Sequence, residues 1–167
     1  VKNFRLNRRL FLQQTASLLA VATLPRIASA NAAEALKTSE LVYLSPLRSD
    51  SSLSRCRGEV WFVQDGKDVM VVTRSVAWRA KAIQEGLDEA MLWVGEVGVW
   101  TRSNGRYKSL PSVKVRGRIE SDPDAWESVL KLYKEKYQMS WTFWRRRFEN
   151  GLADGSRTML RYQIIET

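Results

Sequence analysis

Seven residues in two short runs have the types and spacing to hold an anion. Arg55 and Arg57 stand in "SRCRGEV", and Thr73, Arg74, Ser75, Arg79 and Lys81 in "VVTRSVAWRAKAI". The second run reads as a strand end passing into a helix. Thr73 and Ser75 are placed at the helix N-terminus, where free backbone N–H groups and the macrodipole favour negative charge. Arginines in a first turn face the positive end of that dipole, so Arg74, with Arg79 a turn further on, makes better sense with a phosphate between them. The same residues also read as a solvated helix face with Thr73 or Ser75 as a plain N-cap. Trp61, Trp78 and Trp93 are candidates to line a ring pocket, or to fill the core as strand aromatics do.

The chain has no histidine and one cysteine, Cys56. That excludes Ser-His-Asp and Cys-His catalysis, a histidine general base and zinc sites built on His and Cys. It also excludes an internal disulfide. Cys56 has no second cysteine or histidine to partner it and reads as a buried or incidental thiol. Redox chemistry in such a chain would have to come from a bound cofactor.

These residues need a frame, and the patterning supplies one. "LVYLS" (41–45) reads as a strand stopped by Pro46, then "RSDSSLSR" as a loop. "RGEVWFVQ" (57–64) and "DVMVVT" (68–73) flank the hairpin signal Asp65-Gly66. Both are apolar on two faces, which predicts cover on two sides. Residues 75–86 take helical spacing, with Val76, Ala80, Ile83 and Leu87 on one side and Gly86 as the stop. "AMLWVGEVGVW" (90–100) reads as a strand whose Gly95 and Gly98 mark a bulge or a close approach. "SVKVRGRIE" (112–120) alternates cleanly. Asp122-Pro123 opens a helix with the apolar stripe Trp126, Val129, Leu130, Tyr133 and Tyr137. A second helical stretch covers about 141–151, and "SRTMLRYQII" (156–165) closes on a strand. In "SWTFWRRRF" the spacing sets Trp141, Trp144 and Phe148 on one side, an amphipathic packing helix; basic residues among tryptophans also read as a contact for nucleic acid or anionic lipid.

That order, β-β-β-α-β-β-α-α-β, resembles the split-barrel flavin-binding fold of the pyridoxamine-phosphate-oxidase-like superfamily, including its deazaflavin-dependent reductases. The likeness is carried by "SRCRGEVWFVQDGKDVMVVT" followed at once by "RSVAWRAKAI". These residues match a strand ending in "VWF", an Asp-Gly hairpin, an apolar strand ending in Thr, and a helix bearing Lys or Arg. The resemblance covers roughly residues 41–165 and implies an α+β fold, a mostly antiparallel six-stranded split barrel with flanking helices. It implies FMN or a deazaflavin as cofactor, a homodimer, and hydride transfer to a small substrate. Arg57, Thr73 and Arg79 or Lys81 then match places where family members hold the flavin phosphate. The chain lacks the Arg-x-Ser-Gly run usual in the deazaflavin branch; "RSDSSLSR" stands there instead. A cofactor-free binding or accessory protein on the same barrel is the other expectation.

Residues 1–30 read as a secretory signal: a basic n-region, a short apolar segment diluted by Gln13, Gln14, Thr15 and Ser17, and small residues Ala28 and Ala30 before the cut. Ala30 and Ala32 offer a second cleavage point. "NRRLFLQ" resembles the twin-arginine consensus, which implies export of an already folded protein to the periplasm by that machinery. Residues 31–39 are expected to be a tether and 40–167 the domain. Lys2, Arg5, Arg8, Arg9 and Arg26 contribute five of the 27 basic residues; without them 22 face 18 acidic ones, leaving +4 of the formal +9. Such a mildly cationic body argues against a nucleic-acid partner, and no stable membrane anchor is expected after cleavage.

Overall fold

The computed structural model describes residues 24–165, with side chains from residue 31 onward. The chain order is α1 (Leu24–Thr38), β1 (Leu41–Pro46), β2 (Gly58–Trp61), β3 (Val63–Asp65), β4 (Asp68–Arg74), α2 (Trp78–Gln84), β5 (Glu89–Val94), β6 (Ser112–Glu120), α3 (Pro123–Ala153) and β7 (Arg157–Ile164). The seven strands form one antiparallel sheet in the order β2-β1-β5-β6-β7-β4-β3. Its two edge strands are consecutive in the chain, so the sheet curls into a nearly closed split barrel. The expected fold class is present, with one strand more than the six expected.

The extra strand comes from Phe62. The expected strand 57–64 divides there, because β2 pairs with β1 while β3 pairs with β4. A residue at such a joint loses its ladder partners, and α3 supplies replacements. The Tyr137 hydroxyl accepts from the Phe62 N–H at 2.9 Å and lies 2.8 Å from its carbonyl oxygen and 2.7 Å from that of Glu40. Lys136 donates to the same Phe62 carbonyl at 3.1 Å. One turn earlier, Tyr133 accepts from the Val72 N–H and reaches the Trp61 and Met70 carbonyls, both at 3.1 Å. Two tyrosines of one helix thus satisfy the buried backbone of the corner.

Alternation along the strands sorts the core. Val42, Leu44, Val60, Phe62, Val69, Val71, Leu92, Val115 and Leu160 fill the barrel with Ala80 of α2. Val63, Met70, Val72 and Met159 face α3 through Tyr133, Tyr137, Trp141 and Phe148. Trp93 packs with Tyr43 and Tyr107 in a third cluster. On β6, Gly117 stands opposite Tyr162; an added Cβ would lie 2.6 Å from the Tyr162 ring and 2.8 Å from Ile83 of α2. The glycine is what lets α2 and that ring sit against the barrel together.

Several local expectations change. The tether expected at 31–39 is instead the end of α1, whose Ala32 and Leu36 are buried in the barrel core. Ala and Leu favour helix, and the four-residue spacing of these two puts both on one face. The strand expected at 90–100 stops at Val94; Gly95 (φ 142°) and Gly98 (φ 83°) lie in a loop that continues through short turns at Trp100–Arg102 and Arg106–Ser109. The two helices expected after Asp122 form one helix bent at Gln138, whose φ of 41° and ψ of −108° are not helical. Asp122 caps it as expected, accepting from the Asp124 N–H at 3.0 Å. Among the described residues, no helix is long and apolar enough to cross a membrane.

Candidate functional site

The start of β2 and the first turn of α2 meet at one residue, Gly58. Arg57 precedes it, and the Arg79 guanidinium lies over it: a Cβ built on Gly58 would stand 3.1 Å from Arg79 Nη2. The same position is 4.0 Å from the Trp100 indole, so the loop after β5 borders the place as well. Glu59 fastens that loop by accepting the Trp100 N–H at 3.2 Å. Tyr162 lies in the barrel core with Ala80, the next residue of α2. Burial holds its phenol above the usual tyrosine range, and the Arg79 charge eases that shift.

What marks this place is what the arginines lack. The Nε atoms of Arg57 and Arg79 are both buried with no hydrogen-bond partner. Neither guanidinium pairs with a carboxylate among the described residues. A buried donor left unmade costs about 1–3 kcal/mol, and more when charged. Arginine cannot shed the cost by losing its proton. One of these groups precedes Gly58 in the chain and the other lies over it, which makes them candidates to hold an oxyanion; a phosphate would offer the acceptors they lack.

The remaining sequence candidates go elsewhere. Arg55 is exposed in the loop before Arg57. Thr73 is not at a helix N-terminus: it is buried in β4 opposite Thr158, and α2 begins only at Trp78 with Ala77 as its cap. Ser75 is already spent, donating its hydroxyl to the Gly155 carbonyl at 2.6 Å and its N–H to Ser156 at 3.0 Å. That pinning of residue 75 delays the helix, and it leaves Val76 exposed instead of packed. Arg74 stands opposite Arg157 on β7, at the α3 side of the sheet. Lys81 is exposed, two residues from Arg79 and so on the opposite side of α2. Trp61 is stacked on Tyr137 with ring centres 4.2 Å apart, under α3. Trp93 is core, and Trp78 is partly exposed on α2.

Of this candidate site, sequence patterning pointed to Arg57 and Arg79 and not to Gly58 or Trp100. A glycine directly after an arginine at a strand start was a legible signal of close approach. A cavity of about 1030 Å³ shares no residue with this site. It is an open notch in the elbow of α3, and its size alone assigns it no chemistry.

No protein-family model and no curated protein matches the chain. Solved structures do. HutZ, a heme storage protein from Vibrio cholerae, matches at 11% identity with a TM-score of 0.55, over 80% of this chain and 87% of its own. General Stress Protein 26 from Bacillus anthracis str. Sterne matches at 12% identity and 0.52, over 83% and 89%. A conserved hypothetical protein from Mycobacterium tuberculosis matches at 12% identity and 0.50, over 92% and 89%. At such identities the likeness is one of fold: the chain is a split barrel of the kind these proteins share.

Proposed function

We propose that this chain is an exported flavin-binding protein, taking FMN or a deazaflavin, that transfers hydride to a small oxidised substrate. The observation that carries the reading is the pair of buried, unpartnered Arg57 and Arg79 Nε atoms around Gly58. Arg57 and Arg79 hold the phosphate, and Trp100 borders the ring side. The bound flavin supplies the redox chemistry, which suits a chain without histidine. The chain's own part is to fix the phosphate and to keep carboxylates away from it. Val76, Trp78 and Val99 are exposed apolar residues on the two segments that flank the site. In this reading a second copy covers them, and the protein works as a homodimer. Export by the twin-arginine route rests on residues 1–30; of these, 1–23 lie outside the described residues.

HutZ raises haem as the alternative ligand. An imidazole ligand is not available in a sequence without histidine, which leaves only Cys, Met or Tyr for the iron. The flavin reading needs no such ligand and uses the arginines directly.

The test is an absorbance spectrum of the full chain from its native host, with mass spectrometry of what heat releases, followed by titration with FMN and a deazaflavin. Flavin absorbance in the blue, with affinity lost in Arg57→Met/Arg79→Met, is expected. A colourless protein that binds neither compound would overturn the reading and leave a cofactor-free binding or accessory protein.

A further inference from the structure

Beyond the bend at Gln138, α3 turns two large apolar side chains away from the core. Trp141 and Phe148 face the core, 4% and 5% exposed, with ring centres 5.5 Å apart. Successive helical residues are separated by about 100°. Met139, Phe143 and Arg146 therefore fall on the opposite side, with Thr142 and Arg147 flanking them. Met139 is 83% exposed and Phe143 82%. The face of a surface helix opposite its buried stripe is ordinarily polar. Here it carries two large apolar tips one turn apart.

The unpaired charge around the tips is of one sign, because Glu127 and Glu149, which line the notch beside Met139, are paired with Lys131 and Arg145. From Lys136 to Phe148 there are four cations and no acid. Arg145 is neutralised by Glu149 at 2.7 Å, while Arg146 and Arg147 pair with no carboxylate among the described residues. Arg147 lies over the Trp144 ring, 5.0 Å from its centre. The positive field extends onto the sheet. Burial, then Arg147 and Arg74, lower the Arg157 guanidinium below its usual range.

We propose that this outward face of α3, Met139 and Phe143 with Arg146 and Arg147, is a reversible docking surface for an anionic lipid bilayer. Apolar side chains flanked by unpaired arginines match an interface with acyl chains inside and negative headgroups around them. A second copy of the chain fits less well. A two-fold contact through the tips would bring two unpaired arginine pairs together, and two side chains fall far short of the roughly 800 Å² per partner of a stable protein interface. The surface does not involve the Arg57/Arg79 site, so the proposal stands independently of the cofactor.

The test places the photo-crosslinker p-benzoylphenylalanine at position 143 of the full chain, with vesicles of phosphatidylglycerol and phosphatidylcholine. Position-specific capture separates this face from any contact made by the leader. A lipid adduct is expected, with its yield falling on the order of tenfold in neutral vesicles, in 1 M salt, or with Arg146→Ala/Arg147→Ala. These positions are exposed, so an unchanged melting temperature confirms that folding is intact. A crosslinked dimer in place of the lipid adduct, no adduct at all, or a lipid adduct insensitive to headgroup charge would each overturn the proposal.

Discussion

Two groups of arginines are drawn into the barrel wall, and they differ in their company. Arg161 on β7 is 11% exposed and meets three carboxylates: Glu120 at 2.7 Å, Asp65 at 2.8 Å and Asp68 at 3.0 Å. Arg57 and Arg79 meet none. Burial opposes the Arg161 charge, and the three acids overcome it, holding its guanidinium above its usual range. The contrast separates two uses of one residue type. An arginine that serves the fold brings its counter-charges with it, tying β7 to β6 and to the β3–β4 hairpin. Arginines left without counter-charges are, in the proposed reading, available to an anion from outside.

Removing Arg161 should have the largest effect. Arg161→Met leaves three carboxylates around an apolar stem, and urea denaturation should show a loss of about 3–5 kcal/mol. The wild-type cluster also fixes an acid limb. Burial raises the Glu120 carboxyl, but the Arg161 hydrogen bond and the other contacts outweigh it, so its pKa lies below the ordinary 4.5. Its stabilisation is thus full above the unfolded value and is lost as pH falls through the lowered folded one. A stability profile flat from pH 6 to pH 3 would contradict this.

The matching change at the other pair should do the reverse. Arg57→Met/Arg79→Met removes two uncompensated cations and keeps their stems. Thermal melting of the unliganded protein should be unchanged or raised, while flavin-phosphate affinity falls about 100-fold or more in a fluorescence titration. A destabilised double variant would collapse the distinction between the two groups.

Lys136 provides an intermediate case. Its ammonium lies 3.4 Å from the centre of the Phe62 ring, pairs with no acid within 4 Å among the described residues, and is pushed down to about 8 chiefly by burial. Unlike arginine it can titrate. Because the unfolded chain binds the proton more tightly, folding stability should rise as pH climbs from about 8 toward 10.5, by up to about 3 kcal/mol. Lys136→Met should lack that rise when both proteins are denatured across this range. The smallest effect is reserved for Gly58→Ala. The new methyl crowds the movable end of Arg79 and meets Trp100 at ordinary contact distance, so stability should change by less than about 1 kcal/mol while phosphate affinity drops several-fold.

The sequence carried the barrel clearly because alternation, the Asp65-Gly66 hairpin and the capped helix at Asp122 are local signals. The partner switch at Phe62 was hidden, since it depends on which strands lie on either side. The site was half legible. Arg57 and Arg79 announced themselves by type, but Thr73 and Ser75 were assigned to a helix start that tertiary contacts moved. Ser75 is claimed by Gly155, eighty residues away, and no window of sequence contains both. Trp100 was read as the end of a strand because Gly95 and Gly98, which break it, look the same in a bulge and in a loop. In α1, residues 31–39 read as what a cleaved leader leaves behind, which made a core element resemble a spacer.

The joint at Phe62 also bears on how the molecule behaves in a crowd. An open sheet exposes a row of unpaired amides and carbonyls at each border, and such borders recruit other chains. Here the borders are the four-residue β2 and the three-residue β3, joined through one residue whose amide is taken up by Tyr137. Neither border is long enough to template a foreign strand, and the junction between them has no free donor to offer. The corner that shapes the barrel also works as a guard against amyloid-like stacking, with a single phenol as its latch.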